Sequence, residues 1–198
     1  MEQLISALEE RGYAVKLAAT RQQARELLLE ELRDAETVGI GGSMTIRQLD
    51  LAEQLQKDGK TVFWHWLPEK PGVDARKEAL FSDVYLASAN AVTEDGKLLF
   101  IDGSGNRVAA VCFGPKRVIL VIGRNKLAAD EQSAERRIRD VACPPNARRL
   151  GLQTPCAVTG ACASCASPQR FCNAFLKLER CPGSHPVLIV LTDEELGY

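Results

Sequence analysis

The sequence lacks the features that mark membrane proteins and nucleic-acid-binding proteins. No apolar run reaches the roughly 20 residues that a bilayer-spanning helix needs. A charge of one sign is also missing, because 25 basic side chains are balanced by 26 acidic ones, for a formal net charge of -1. Such a chain has no overall field that would draw it to nucleic acid or to an anionic membrane. The N-terminus lacks signal-peptide character, so we expect a cytoplasmic protein with no nucleic-acid or membrane partner.

Nucleotide-binding motifs are absent as well, although a glycine-rich turn is present. Residues 37–40 read as a short strand that runs into glycines and then into a helix at residues 45–58. A P-loop needs a Lys after its second Gly and the dinucleotide motif needs a third Gly, and this turn has neither. Free amides and the positive end of a helix dipole converge at such a turn. We predict a phosphate, carboxylate or carbonyl binder, or else a tight connection with a Ser cap, at Gly41, Gly42, Ser43 and Thr45.

A second glycine-rich stretch, residues 90–107, predicts a ligand site built on two turns. Asp95 and Gly96 form a two-residue turn signal, and the apolar run behind them reads as a returning strand. The loop at residues 102–106 can bring backbone amides close to a ligand. We expect ligand binding by Asn90, Gly103, Gly105, Asn106 and the fixed charge of Arg107. The alternative is two ordinary surface turns in an edge hairpin.

Acidic residues in the same stretch are candidates for a general base. Glu94, Asp95 and Asp102 lie within nine residues of one another. A carboxylate can serve as a base near neutral pH only when burial or a neighbouring acid raises its pKa. We predict that one of the three has this role in an isomerase or acyl-transfer reaction.

Apolar and amphipathic segments alternate along the chain and predict an α/β protein. Helical spacing predicts helices at residues 1–11, 20–33, 74–81, 129–141 and 146–150. Apolar runs predict strands at residues 13–18, 60–67, 83–90, 108–113, 116–122, 171–178 and 187–191. Asn125 and Lys126 follow the strand at 116–122, and ligands bind at that end of strands in open α/β sheets. They are therefore site candidates, although Asn and Lys at a strand exit are also ordinary turn residues.

Seven cysteines predict metal binding, redox chemistry or simple burial, because an odd number without an export signal argues against a disulfide framework. Four of them form a Cys-x5-Cys-x2-Cys-x6-Cys segment, in which two closely spaced thiolates can reach one metal. An iron-sulfur cluster and a structural zinc ion both take four thiolates. The alternative is a surface loop of free cysteines with one redox-active pair. The predicted ligands are Cys156, Cys162, Cys165 and Cys172, whereas Cys143 and Cys181 lie outside the tight spacing.

These motifs resemble the lactate-utilisation (LUD) domain family, also described as YkgG-like. The resemblance rests on Val38-Gly-Ile-Gly-Gly-Ser-Met-Thr, on Asn90-Ala-Val-Thr-Glu-Asp-Gly, on Asp102-Gly-Ser-Gly-Asn-Arg, on Phe113-Gly-Pro-Lys, on Asn125-Lys, and on Thr154-Pro-Cys-Ala-Val-Thr-Gly before the Cys-x2-Cys pair. It implies a single Rossmann-like α/β/α sandwich with a mainly parallel sheet, the NagB/RpiA/CoA transferase-like fold, over residues 1–198. The cysteine segment, residues 154–174, is then inserted before the closing strands.

The resemblance implies a role in L-lactate oxidation or electron transfer, beside iron-sulfur partner proteins. The residues themselves leave two other functions open, a cofactor-free isomerase or acyl-transfer enzyme and a non-enzymatic ligand-binding module with structural zinc. Expected partners are a small carboxylate or phosphate ligand, iron-sulfur redox proteins, and a second copy of the chain at the tryptophan-rich strand 60–67.

Overall fold

Parallel pairing of buried strands organises the fold. The computed structural model describes residues 1–68 and 71–198. The strands are β1 (Ala14–Ala18), β2 (Thr37–Ile40), β3 (Thr61–Trp64), β4 (Val84–Ala87), β5 (Ala91–Thr93), β6 (Leu98–Asp102), β7 (Arg117–Gly123), β8 (Leu127–Ala128), β9 (Ala174–Leu178) and β10 (Val187–Thr192). Within these described residues, six strands form a parallel sheet in the order β1-β10-β7-β4-β2-β3. The strands β8-β5-β6-β9 form a second, mixed sheet.

Helices cover both faces of the large sheet. They are α1 (Glu2–Glu10), α2 (Arg21–Glu31), α3 (Met44–Gln48), α4 (Ala52–Lys57), α5 (Ala75–Ala79), α6 (Asn106–Cys112), α7 (Glu131–Arg137), α8 (Cys143–Arg149) and α9 (Pro155–Thr159). Apolar side chains of α2, α3 and α4 pack on one face. Those of α1, α5 and α6 pack on the other face, together with the second sheet. The predicted three-layer α/β/α sandwich is confirmed.

The central strands are apolar along their whole length because both of their faces are covered. Every residue of β10 is buried, and so is every residue of β7 after Arg117. Such continuous apolar runs are typical of parallel strands between two helical layers. A third apolar cluster forms on the outer side of the second sheet, where Ala134, Ile138 and Cys143 pack against Leu99 and Ile101.

Two predicted elements differ from the structure. Residues 108–113 were predicted to form a strand, but they belong mainly to α6, whose buried residues Arg107, Ala110 and Val111 follow helical spacing. A short apolar run does not distinguish a buried strand from a helix. The helix predicted at 45–58 is divided into α3 and α4 around Asp50, which has a positive φ of 51°. A left-handed residue of this kind interrupts a right-handed helix.

The prolines at 144 and 145 begin a helix, although the predicted helices at 129–141 and 146–150 left them in a connection. The segment Ile138–Ala142 is a π-helical turn that joins α7 directly to α8, and both prolines stand in the first turn of α8. Proline is tolerated there because the first amides of a helix have no intrahelical acceptor. This continuous path brings Cys143 into a buried position.

Candidate functional site

A cleft opens at the carboxyl ends of β2, β4 and β7, which are neighbours in the large sheet. Gly42 to Thr45 follow β2, Ser88 to Asn90 follow β4, and Lys126 closes a 3-10 turn after β7. Arg107 reaches the cleft from the first turn of α6. The remaining walls include Trp66, Cys143, Asn146, Arg149, Phe171, Gly197 and Tyr198. Ligands bind at this edge of open α/β sheets, so the cleft is the candidate site.

Six residues predicted from sequence meet in this cleft, namely Gly42, Ser43, Thr45, Asn90, Arg107 and Lys126. Gly41 stands behind them, where an added Cβ would lie 2.8 Å from Tyr85 Oη and 3.3 Å from Arg107 Cδ. Gly103, Gly105 and Asn106 form the turn that leads into α6. The Ser43 hydroxyl accepts a hydrogen bond from Ile46 N at 3.3 Å and caps α3. Ser43 is therefore the helix cap that the sequence offered as one of two alternatives for this turn.

Lys126 is buried at the base of the cleft with 3% of its surface exposed. Its Nζ donates to Thr45 Oγ1 at 3.1 Å, to Ser88 Oγ at 3.3 Å and to the Ala89 carbonyl at 3.4 Å. All three acceptors are neutral, and Lys126 has no ion-pair partner in the described part of the chain. Burial, reinforced by the charges of Arg137 and Arg107, lowers the pKa of Lys126 to about 7. Its amine therefore changes charge near neutral pH.

Arg107 is the second buried cation of the cleft, with 8% of its surface exposed. Its guanidinium donates to the Ser88 carbonyl at 2.8 Å, to Asn90 Oδ1 at 2.8 Å and to the Ile101 carbonyl at 2.5 Å. These contacts connect the residues after β4 to β6 and hold the planar guanidinium group in one orientation. Burial lowers the pKa of Arg107, and an arginine remains charged even after such a shift.

The lining of the cleft is cationic. Arg107, Lys126 and Arg149 line it, and no Asp or Glu side chain does so among the described residues. Arg149 lies 4.6 Å from the centre of the Trp66 ring and donates to Tyr198 Oη at 3.0 Å. Behind the cleft, Arg137 donates to the carbonyls of Asn90 and Asn125. Cations that converge without an acidic side chain favour an anionic ligand.

Glu94 and Asp95 lie at the turn between β5 and β6 and are both exposed. The Asp95 carboxylate lies 2.9 Å from Arg11 Nη2 and 3.1 Å from Lys97 Nζ. A hydrogen bond from the Thr93 hydroxyl and the neighbouring cations lower the pKa of Asp95. This direction is opposite to the one that a general base requires. Glu94 and Asp95 precede β6, whereas Asp102 is its last residue, so the three predicted acids are not brought together at one place.

Asp102 has a structural task at the end of β6. Its Oδ1 accepts from Gly103 N at 2.8 Å, and its Oδ2 accepts from Arg107 N at 2.9 Å and Val108 N at 3.3 Å. The carboxylate thus binds free amides of the first turn of α6 and holds Arg107 in place. Such amides have no acceptor inside the helix.

We expect Asp102→Ala to lower the free energy of unfolding by about 1 to 2 kcal/mol, because loss of a capping carboxylate costs that much in other helices. Urea denaturation measures this change. Glu94→Ala is the control, since the exposed Glu94 side chain should contribute less than about 0.5 kcal/mol. Equal stability of Asp102→Ala and the parent would contradict a capping role.

Residues after Thr192 reach the cleft, although no sequence motif marks them. Leu196 is buried in the core, and Gly197 and Tyr198 line the cleft. Asn125 holds this tail, since its Nδ2 donates to the Gly197 carbonyl and its Oδ1 accepts from Leu196 N, both at 3.2 Å. Asn125 thus supports the site from behind. Ser88, Arg149 and Tyr198 were missed because no local motif marks them.

The cysteine segment lies between α8 and β9. Cys156 is buried on α9, with Sγ 3.3 Å from Thr154 Oγ1, and the Arg170 side chain donates to the carbonyls of Cys165 and Cys172. All seven cysteines are free thiols. In residues 1–68 and 71–198, no three Cys, His, Asp or Glu side chains are grouped closely enough to hold a metal ion.

Cys143 connects this segment to the cleft. It lines the cleft, is buried with 3% exposure, and shares an apolar cluster with Phe171 and Cys172. Burial, together with the nearby Cys172, Cys162 and Cys156, raises the pKa of the Cys143 thiol to about 12. The spacing of the cysteines in the sequence did not include Cys143 among the predicted metal ligands. Its position depends on the packing of α8 beside α9, which spacing does not encode.

The chain is an α/β protein with a cleft lined by cationic side chains at the carboxyl edge of a parallel sheet. The profile of the LUD domain family matches residues 1–192. The chain belongs to the LUD domain family, which is associated with lactate utilisation.

The structure is similar to the crystal structure of a DUF162 family protein from Deinococcus radiodurans, with a TM-score of 0.54. The two sequences are 12% identical, over 96% of this chain and 94% of the other, so this likeness concerns the fold alone. Comparison with curated proteins gave no match. Within the described residues, no helix is long and apolar enough to cross a membrane.

Proposed function

We propose that this protein acts in lactate utilisation by binding a small carboxylate, a 2-hydroxy or 2-oxo acid, in the cleft. The observation that carries the proposal is the convergence of Arg107, Lys126 and Arg149 on a cleft that no Asp or Glu side chain lines among the described residues. Lys126 is buried without an ion-pair partner in the described residues, and burying a charge in this way is costly. A bound carboxylate would supply the missing negative charge.

The shape of the site favours a small ligand. The cleft lies between the strand exits on one side and α8, Phe171 and the chain end on the other, and its cavity volume is about 60 Å³. Thr45, Ser88 and Asn90 add neutral hydrogen-bonding groups beside the cations. A hydroxyl or carbonyl oxygen next to a carboxylate finds such partners there, whereas a nucleotide would also require room for its base and ribose.

Calorimetric titration with L-lactate, pyruvate, oxalate and inorganic phosphate tests this function. We expect millimolar or tighter binding of the carboxylates, and Arg149→Gln should weaken it about tenfold through the loss of one charge-assisted hydrogen bond. Arg149 is exposed, so its replacement should leave the fold intact. Arg148→Gln is the matched control, because Arg148 is also exposed but donates to the Ala157 carbonyl. Absence of binding by all four ligands, or equal binding by both variants, would refute the proposal.

Electron transfer through an iron-sulfur cluster is a second candidate function. The observation that favours it is the position of Cys143, which is buried in the cleft wall and packs in the same cluster as Cys172. Thiolates suit both an iron-sulfur cluster and zinc, but no three of Cys156, Cys162, Cys165 and Cys172 stand close enough together to hold either group in the described residues, so the segment would have to rearrange around it. If these cysteines held a cluster, it would supply electron-transfer chemistry.

Anaerobic purification followed by measurement of iron, sulfide and zinc per chain tests the second candidate. Iron with matching labile sulfide, lost when Cys162 and Cys165 are both changed to Ser, supports a redox cluster. Stoichiometric zinc supports a structural role for the segment and removes the electron-transfer candidate. Changing Cys112 and Cys181 to Ser is the control, because both lie outside the segment.

A further inference from the structure

We propose that Lys126 is a nucleophilic lysine that forms a Schiff base with the carbonyl carbon of a small 2-oxo acid. This proposal rests on the proposed function, because it needs the carboxylate of the ligand to be held in the cleft. It goes further by giving the site a covalent activity and by selecting 2-oxo acids over their 2-hydroxy counterparts.

The surroundings of Lys126 do not compensate a permanent charge. Its three acceptors are two hydroxyl groups and one carbonyl, at 3.1 to 3.4 Å. Hydrogen bonds that stabilise an ammonium ion on a carboxylate are shorter, about 2.7 to 2.9 Å, and about twice as strong. The other charged groups near the amine are the cations Arg107 and Arg137. The neutral amine, which carries a free lone pair, is therefore well populated near neutral pH, in agreement with the lowered pKa of Lys126.

Packing alone does not account for a lysine at this position. An apolar side chain of similar length would fill the same space without the cost of burying an amine, and such replacements are often neutral or stabilising in protein interiors. Lys126 lines the cleft, so a ligand can approach its amine. Desolvated lysines beside other cations are activated nucleophiles for carbonyl substrates.

The cleft also orients the ligand for this reaction. Arg107 and Arg149 would hold the carboxylate, which leaves the adjacent carbonyl carbon exposed to the Lys126 amine. The lone pair of Nζ forms the new C–N bond, the C–O bond breaks, and the oxygen leaves as water with the two amine protons. The reaction conserves oxidation state and needs no further reactant.

Borohydride trapping of the full chain tests the proposal. The protein is incubated with pyruvate, reduced with sodium borohydride, and analysed by intact mass and peptide mapping. We expect one reduced pyruvyl adduct per chain, located on Lys126, and at least a tenfold loss of adduct in Lys126→Arg and Lys126→Met. Lys57→Arg is the matched control, because Lys57 is an exposed lysine on α4 and should leave the yield unchanged.

Titration with oxalate separates this proposal from the proposed function, because oxalate has two carboxylates but no ketone and forms no adduct. Binding of oxalate and pyruvate without an adduct on Lys126 would overturn the Schiff base and leave carboxylate binding intact. Failure of both ligands to bind would overturn the two proposals together. An adduct spread over exposed lysines would also contradict the proposal.

Discussion

Replacement of Arg107 by Met is expected to lower the free energy of unfolding by about 3 to 5 kcal/mol, because it leaves buried acceptors without a donor. The guanidinium serves the carbonyls of Ser88 and Ile101 and the side chain of Asn90. An apolar side chain fills the space but donates to none of them. Asn90 Oδ1 also accepts from Ile101 N, so its position would change as well.

Urea denaturation of matched variants measures this effect. Arg107→Lys should fall between the parent and Arg107→Met, because an ammonium group replaces the charge but not the planar fork. Arg148→Met is the control, and an exposed arginine should change stability by less than about 0.5 kcal/mol. A loss below about 1 kcal/mol in Arg107→Met would mean that water satisfies these acceptors, contrary to the burial of the side chain.

The same variant should lose carboxylate binding. Arg107 is one of two buried cations of the cleft, and removing a charge-assisted contact from a desolvated site weakens binding by about 100-fold or more. Binding should be compared at temperatures well below the unfolding transition of each variant. A folded Arg107→Met protein with unchanged oxalate affinity would show that the ligand contacts other groups.

The sequence predicted the parts of the fold that depend on local periodicity. The strand at 116–122 and the helix at 20–33 are confirmed as β7 and α2, and Thr20 caps α2 by accepting from Gln23 N at 3.2 Å. The error at 108–113 has a local origin too. A cap formed by Asp102 converts a run that looks like a strand into α6, and the capping residue is separated from the apolar positions by a glycine turn.

Six of the eighteen residues that line the cleft were predicted from sequence, and the others were not. Gly42, Ser43 and Lys126 follow strands, so strand order alone places them at the carboxyl edge of the sheet. Arg149 and Tyr198 come to the same cleft through long-range packing, which a single sequence does not reveal. The tryptophan-rich strand shows the same limit. Trp64 is buried at 9% exposure and Trp66 packs beside Arg149, which the sequence pattern alone did not indicate, and the dimer contact at residues 60–67 stays a prediction.

The stability gained by replacing Lys126 with Met is expected to depend strongly on pH. The folded-state pKa is about 7, and a lysine in an unfolded chain titrates near 10.4. Below about pH 7 the amine is charged in both states, and burial costs its full amount. At pH values between the folded-state and unfolded-state pKa of Lys126, the unfolded chain binds more protons than the folded one. The stability of the parent therefore rises with pH in this range. In Lys126→Met, residue 126 does not titrate in this pH range and makes no such contribution.

We therefore expect the stability difference between Lys126→Met and the parent to shrink by about 3 to 5 kcal/mol between roughly pH 7 and pH 10. Urea denaturation at several pH values in this interval measures it, because the parent and the variant differ only at residue 126 and the contributions of their shared groups largely cancel. The variant lacks the Nζ donor to Thr45, Ser88 and Ala89. This loss changes the stability difference between the two proteins by an amount that does not depend on pH. A constant difference would mean that Lys126 stays charged in the folded protein, and a charged amine has no lone pair with which to attack a carbonyl carbon.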